Sequence, residues 1–437
     1  MGRWGDGEVN NPVTSPQSPI TNHQLRGSFM QSIEDLYELS PMQQGMLFHT
    51  LYAPESEVYF EQLLCILSGE LNFSAFQKAW EQIVARHSIL RSAFFWEEIE
   101  KPLQIVNKQV DLPWEKLDWR HLTSDEQQKK LEDFLVSDRH KGFDLNQAPL
   151  MRFTIIQLTE NTYQFIWSHH HILFDGWSMQ IIIKEILTLY EANQRGEHLR
   201  LSPVRPYKEY IEWLQQQNIE QAKQFWQQTL QGLQTPTILT GKKGQGIYQE
   251  KRFQLSQTVT EKLQTAARQH HLTLNNLVQG AWSLLISRYT GEKDVIFGAT
   301  VSGRQPVFEN IESMVGLLIN TIPTRVKIDN QKEILSWLKE LQTQAIEQEQ
   351  YSYFPLAEIQ QLSDILPGMP LFESLLVFEN YPVDSSKKDT KKTLEISNLS
   401  CFERTNYPLT IVINPGSQLR GRFVYDGNTK GNRNSAS

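Results

Sequence analysis

Between Ala148 and Asn193 the chain carries two apolar runs, "APLMRFTIIQL" and "TYQFIWSHHHI", separated by the short turn Thr159-Glu160-Asn161. After "LFDG" comes a third, "WSMQIIIKEILTLYEAN". The first two runs are rich in β-branched and aromatic residues, have strand length, and are joined by a loop short enough only for a hairpin. The third is apolar at helical spacing and long enough for about four turns. Two strands feeding directly through a tight turn into a helix confine this part of the chain to an α/β arrangement.

The same mixture recurs along the sequence. After Asn72, a capping residue, Phe76, Trp80, Ile83, Val84 and His87 return at helical spacing. A Pro-bearing connector, "HLRLSPVRPYKEY", occupies about 198–210. Beyond it a helix is expected near 275–290, a strand at 294–301 and a helical stretch at 333–350; "ESLLVFENY" and "LTIVINP" read as strands. Two α/β halves of similar size follow, without a residue-level repeat. With 437 residues the length suits two to three domains.

Composition excludes several classes. A net charge of −8 gives no general basic face for nucleic acid. Cys65 and Cys401 stand far apart in apolar segments, so neither a disulfide framework nor a cysteine zinc site is implied. No apolar run reaches the roughly 18 residues of a membrane span, and the polar "MGRWGDGEVNN" is unlike a signal peptide. A cytoplasmic protein is expected. Residues 1–33, rich in Pro, Ser and Asn, read as a flexible leader, and 427–437 as a disordered tail.

The run "SHHHILFDGWS", Ser168 to Ser178, concentrates the chemistry. With the strand running to Ile172, His169 and His171 share a face with Tyr163, Phe165 and Trp167, and His170 takes the other. Adjacent histidines on opposite faces do not clasp one ion. His169 and His171 lack a ligand partner at obvious spacing, so no metal site is expected. His-x-x-x-Asp alone is weak evidence, because "HKGFD", His140 to Asp144, repeats it in an amphipathic stretch. Three hydrogen-bonded polar residues at a strand end would account for the short pattern equally well.

The longer pattern HHxxxDGWS resembles the active-site signature of condensation domains of nonribosomal peptide synthetases, relatives of chloramphenicol acetyltransferase-like acyltransferases. Further motifs of that family stand in its order: "LSPMQQGMLFH" (Leu39–His49), "RHSILRSAF" (Arg86–Phe94), "PYKEYIEWL" (Pro206–Leu214), "VGLLINTIPTRV" (Val315–Val326), the looser "QYSYFPLAEI" (Gln350–Ile359), and "ERTNYPLTIVI" (Glu403–Ile413). The resemblance spans about residues 33–425. The two-aspartate pattern of cyclisation relatives is absent. Trp177-Ser178, which epimerisation relatives usually lack, is present, and the histidine motif that inactive recruitment relatives have lost is intact. The first motif is more similar to domains accepting a donor that ends in a D-residue than to the "SxAQ" form.

The resemblance implies two chloramphenicol acetyltransferase-like lobes in a V, 34–205 and 206–426, the second truncated, with the active site in a tunnel between them. It implies that the α-amine of an acceptor aminoacyl thioester attacks a donor thioester. Both would be held on 4'-phosphopantetheine arms of donor and acceptor carrier proteins beside a neighbouring adenylation domain, with no cofactor bound by this chain. His171, the second motif histidine, is the expected catalytic residue, with His170, Asp175 and Gly176 beside it. An α-amine has a pKa near 7.7–8.0, so roughly a tenth is already neutral at pH 7. This favours His171 as a positioner and proton shuttle over an obligatory base. Asp175 is expected to pair with an arginine: Arg86 or Arg91, with Arg304 as the outsider. Gly176 is expected to permit a tight turn, its amide also being able to face an oxyanion. Trp177 supports the site, and Ser178 either caps the following helix or faces the channel. Asn320 and Arg304 are assigned to the channel, Asn320 alternatively being a strand-end amide. Tyr207, Tyr210 and Trp213 read as core aromatics. Two other readings stand beside this one: a silent or truncated docking module, and a free-standing acyltransferase using a soluble thioester.

Overall fold

The computed structural model describes residues 32–239, 248–305, 309–380 and 394–427. The expected leader up to residue 31 and the tail beyond Gly427 lie outside these residues.

The first part of the chain forms β1 (Ile33–Glu38), α1 (Pro41–Tyr52), β2 (Phe60–Gly69), α2 (Phe73–Arg86), β3 (Ser92–Phe95), β4 (Leu103–Asn107), β5 (Trp114–Asp118), α3 (Ser124–Lys141), β6 (Met151–Thr159), β7 (Thr162–His170) and α4 (Gly176–Gln194). Next come α5 (Lys208–Gln215), α6 (Ile219–Leu230), β8 (Tyr248–Gln254), α7 (Gln257–Gln269), α8 (Leu274–Thr290), β9 (Asp294–Val301) and β10 (Asn320–Lys327). Last are α9 (Ile334–Glu349), α10 (Leu356–Gln361), β11 (Ser374–Phe378), β12 (Leu394–Phe402), β13 (Leu409–Asn414) and β14 (Arg420–Asp426).

Local chemistry explains the elements that frame the histidines. Asn72 caps α2 by accepting the Ala75 amide, as its position suggested. Strands β6 and β7 pair as the expected antiparallel hairpin. The strand ends at His170, two residues before the expected Ile172. There the Leu173 amide bonds the His170 carbonyl and the Ile172 amide donates to His170 Nδ1, closing a turn. Asp175 then accepts the Ser178 amide and starts α4.

The strands form a five-stranded sheet in the order β12-β2-β7-β6-β5, a six-stranded sheet β10-β9-β11-β13-β14-β8, and a small sheet β1-β4-β3. Helices α2 and α4 pack together, and their apolar faces join the inner residues of β2, β6 and β7 in the largest core. Chain order and space diverge in the second half. Strand β12 pairs antiparallel with β2 at the edge of the first sheet. Met314, Val315, Leu317 and Leu318 are buried in the core built by the first half. Tyr207 and Tyr210 hold that segment, their hydroxyls donating to the carbonyls of Leu317 and Leu318 at 2.8 and 3.2 Å. Both tyrosines and the partly buried Trp213 pack in the core, as their spacing suggested.

Candidate active site

The three consecutive histidines have three different environments. His170 is buried on the outward face of β7. Its Nδ1 accepts the Ile172 amide at 3.1 Å, so the ring hydrogen must sit on Nε2, 3.2 Å from Thr50 Oγ1. Burial is the main reason its pKa falls to about 3, with the neighbouring histidines adding to it. His170 is neutral and ties the end of β7 to α1.

His171 sits one residue past the strand, its amide still bonded to the Tyr59 carbonyl at 2.8 Å. Its Nδ1 lies 2.9 Å from the Phe174 carbonyl, and a carbonyl only accepts. Nδ1 therefore carries the hydrogen, and Nε2 bears the lone pair of the neutral ring. The side chain is 13% exposed. Burial works against its charge, but Glu61 foremost, then Glu403, the Phe174 bond and Asp175 outweigh it and raise its pKa.

Glu61 belongs to none of the sequence motifs, yet it lies at the centre of this group. It stands directly opposite His169 in the β2–β7 register. Its Oε2 is 2.8 Å from His169 Nε2, and its Oε1 3.4 Å from His171 Nδ1. A signal for it does exist in the sequence: Glu61 shares a strand face with Leu63, Cys65 and Leu67, all core residues. An acid that continues a core-facing apolar stripe must find a partner.

Asp175 is fully enclosed. Its Oδ1 accepts the Ser178 amide and Arg304 Nη2 at 2.9 and 3.0 Å; Oδ2 accepts Arg304 Nη1 and the Leu318 amide at 2.8 and 3.0 Å. Burial alone would raise its pKa, but Arg304 above all, with these amides, lowers it. The Arg304 side chain is 4% exposed and lies over the Trp177 ring, 5.3 Å from its centroid. Trp177 Nε1 donates to the Glu312 carbonyl. Ser178 Oγ donates to the Gly316 carbonyl and accepts from Arg304 Nη2 and the Gly316 amide. Ser178 thus bridges to the fifth motif; the cap of α4 is Asp175. Gly303, at φ +61, precedes Arg304 where an added Cβ would fall 1.8 Å from the Leu318 carbonyl oxygen. Only glycine lets the chain pass there and aim the arginine inward.

Several expected partners lie elsewhere. Arg86 bonds Glu185 and the Ser202 carbonyl, because α2 faces α4 at that point. Arg91 bonds Glu34 and the carbonyls of Val84 and Asn107, pinning β1 and β4. Arg304, the outsider, holds Asp175. Asn320 donates to the Ser352 carbonyl at 2.6 Å and accepts the Thr321 amide, which is the strand-end alternative. Gly176 is the first residue of α4 and does not adopt a left-handed φ, so the turn needs no special backbone. It instead leaves room beside a cavity.

That cavity, about 790 Å³, is lined by Glu61, Gly176 and Met179 on one side and by Glu379, Glu403 and Arg422 on the other. Arg422 pairs with Glu403, and Asn414 donates to Glu379. Burial, followed by the nearby Glu403 charge, pushes the Glu379 carboxyl up to about 7. The cavity is therefore lined by a carboxyl that titrates near neutrality, and by Glu61 and Glu403, the two carboxylates that act most on the His171 charge. Glu61, His171 and Glu403 bring ligand-type atoms within 4.8 Å of one another. In this group Glu61 is bonded to His169, Glu403 to Arg422 and His171 Nδ1 to a carbonyl.

Known proteins resemble this chain throughout its described length. The family model for the condensation domain matches residues 33–429. A linear gramicidin synthase protein of Brevibacillus parabrevis is 44% identical over 405 residues, covering 91% of this chain and 5% of that protein. Surfactin synthase subunit 3 of Bacillus subtilis is 34% identical over 402 residues, covering 91% and 31%. The chain therefore spans only a small part of these relatives. Among solved structures, the starter condensation domain of rhizomide synthetase superposes with a TM-score of 0.78 at 19% identity, over 92% of this chain and 91% of that one. The first condensation domain of the calcium-dependent antibiotic synthetase gives 0.72 at 17%, over 91% and 93%. These likenesses show the chloramphenicol acetyltransferase-like α/β fold. The motif order, the fold and a match across nearly every described residue agree: the chain belongs to the condensation domain family of nonribosomal peptide synthetases.

Proposed function

We propose that this chain forms a peptide bond between two carrier-bound acyl groups, as condensation domains do. The acceptor's amine nitrogen attacks the donor thioester carbonyl, the C–S bond breaks, and the donor's thiol leaves on its own arm. His171 carries this reading: its Nδ1 is pinned to the Phe174 carbonyl, so in the neutral ring Nε2 is the nitrogen that takes the ammonium proton of the tetrahedral intermediate. General acid–base help of this kind is worth about 10²–10⁴-fold. Holding amine and thioester together in the cavity lowers the barrier further, by up to about 7–11 kcal/mol for well-oriented reactants. Phosphopantetheine arms on the partner carrier proteins supply the thioesters, and an adenylation domain loads the acceptor. The Gly176 amide, at the start of α4, is suited to the developing oxyanion. A donor ending in a D-residue is favoured by the first motif, "LSPMQQGMLFH". The substrates enter between lobes 34–205 and 206–426, which meet at the histidine motif.

Intact-mass spectrometry of an acceptor carrier protein tests this. Donor carriers are loaded with dipeptides ending in a D- or L-residue, and wild type is run beside His171→Ala. The expected result is transfer of the donor mass by wild type, preferring the D-ending donor. The His171→Ala rate should be at least about a hundredfold lower, with an unchanged circular dichroism spectrum. No transfer by folded wild type with any donor refutes the proposal; near-normal transfer by His171→Ala removes that residue from the mechanism.

A further inference from the structure

The first histidine of the triplet, His169, lies outside the HHxxxDG pattern, and neither the substrate nor the fold motifs account for it. It is fully buried, and its ring packs against both Trp167 and Phe174, at centroid distances of 4.7 and 4.5 Å, while those two rings contact each other at 5.4 Å. Close packing of this kind restricts how the imidazole can turn. Its Nε2 donates to Glu61 Oε2 at 2.8 Å, and a carboxylate held from one side presents its other oxygen in a set direction. That oxygen, Oε1, lies 3.4 Å from His171 Nδ1, on the edge of the ring opposite the free Nε2.

We propose that Glu61, held by His169, is a positioning residue for the condensation reaction: it serves as the carboxylate partner of His171, fixing the Nδ1–H tautomer together with the Phe174 carbonyl and stabilising the imidazolium formed when Nε2 takes the amine's proton. The inference rests on the peptide-bond-forming role proposed above. No covalent step is added. The proton moves from the substrate ammonium to Nε2, and the positive charge then lies between a buried carboxylate and the leaving thiolate that finally receives the proton. A carboxylate behind a histidine orients it and supports its charge without itself becoming protonated.

The charged and titratable surroundings of His171 are few. From its own strand come His169 and the neutral His170. Glu61 comes from β2 and Asp175 from the start of α4, the latter neutralised by Arg304. Glu403 follows β12 and is paired with Arg422 of β14, with Glu379 beyond it at the end of β11. Among the carboxylates facing His171, Asp175 is bound to an arginine and so is Glu403. Glu61, among the described residues, forms its ion pairs with His169 and His171, so the charge balance of His171 depends mainly on it. Burial disfavours its charged form, but His171 and the His169 bond outweigh this and lower its pKa.

Glu61→Gln tests this, because it keeps the shape and an acceptor for His169 while removing the charge. Two readouts are needed. The first is the condensation rate against pH. The second is the His171 titration, followed by ¹⁵N NMR of histidine-labelled protein without substrate. Losing a nearby negative charge lowers a histidine pKa. The His171 midpoint should therefore move down by about one unit or more. The acidic limb of the rate profile should move to lower pH with it, and the maximal rate should fall about tenfold or more. Glu61→Asp should restore part of the rate. Glu403→Gln should shift the midpoint less, its charge being neutralised by Arg422. An unmoved His171 midpoint in a folded Glu61→Gln protein overturns the proposal, as does a rate loss with an unmoved limb, which marks a merely structural residue. The NMR titration needs no turnover, so it still decides the role of Glu61 if wild type transfers nothing and the reaction itself has been misread.

Discussion

Asp175 accepts four hydrogen bonds from three residues, and its charge strengthens each of them. Its pairing with Arg304 is buried on both sides, so removing either member strands a charge at a cost of about 3–5 kcal/mol. The pH dependence follows from the direction of its shift. The folded pKa lies below the unfolded value of about 3.9, so the stabilisation is complete above that value. It is lost as pH falls through the folded pKa. Thermal melts of wild type and Asp175→Asn between pH 3 and 7 should therefore differ most at neutrality and converge on the acid side; a constant gap would mean the carboxylate contributes shape and not charge. At this scale the sequence is informative about Asp175 itself and silent about its partner. Arg304 is 129 positions away, and no spacing rule separates it from Arg86 or Arg91, which stand in a motif and are equally able to pair.

At the scale of elements, hairpin β6–β7 and helix α4 follow from alternation, a short turn and helical spacing, all local properties. What turns them into a site is the segment Met314–Leu318, which lies against the start of α4 and feeds three groups to it: the Leu318 amide to Asp175, and the Gly316 carbonyl and amide to Ser178. Gly316 sits so close to Tyr207 that an added Cβ would meet the ring at 2.1 Å. Tyr207 is buried and hydrogen-bonded, and cannot withdraw. Gly316→Ala should therefore push the segment away and loosen Asp175, costing roughly 1–3 kcal/mol of stability from overpacking together with a clear loss of condensation rate. Differential scanning calorimetry alongside the carrier assay checks both; an unperturbed melt would show that the segment yields easily. "VGLLIN" can be recognised as a motif in sequence, but the reason for its glycine is a tyrosine ring more than a hundred residues away in the chain.

Across the whole molecule, the second half completes the first. Strand β12 adds to β2 at the edge of the sheet carrying Glu61 and the histidines, and Arg304 closes the Asp175 pair. A polar tie joins the first and last motifs: Tyr59 donates to Asn406, and Asn406 donates to His49. Residues 32–205 produced alone would expose the β2 edge and the core faces that Val315, Leu317 and Leu318 cover. Such an edge invites aggregation. Expressed separately, neither 32–205 nor 206–427 should show a cooperative melt, whereas the joined chain should. A sharp, independent transition in the first fragment would show that its core suffices without β12.

Sequence alone determined the α/β class, the hairpin and helix around the histidines, the capping residue of α2, and the family, because each depends on patterns a few residues long or on motifs that can be read in order. Tertiary structure alone decided which arginine holds Asp175, that His170 is bonded to Thr50 and the Ile172 amide, that Asn320 closes a strand end, and that Glu61 lies 3.4 Å from His171. The two charge pairings among these outcomes, Glu61 with His171 and Asp175 with Arg304, span 110 and 129 positions. The physical reason is common to all: a buried polar or charged group must be matched by whatever partner the packing brings within hydrogen-bond reach, and reach is a property of the folded chain.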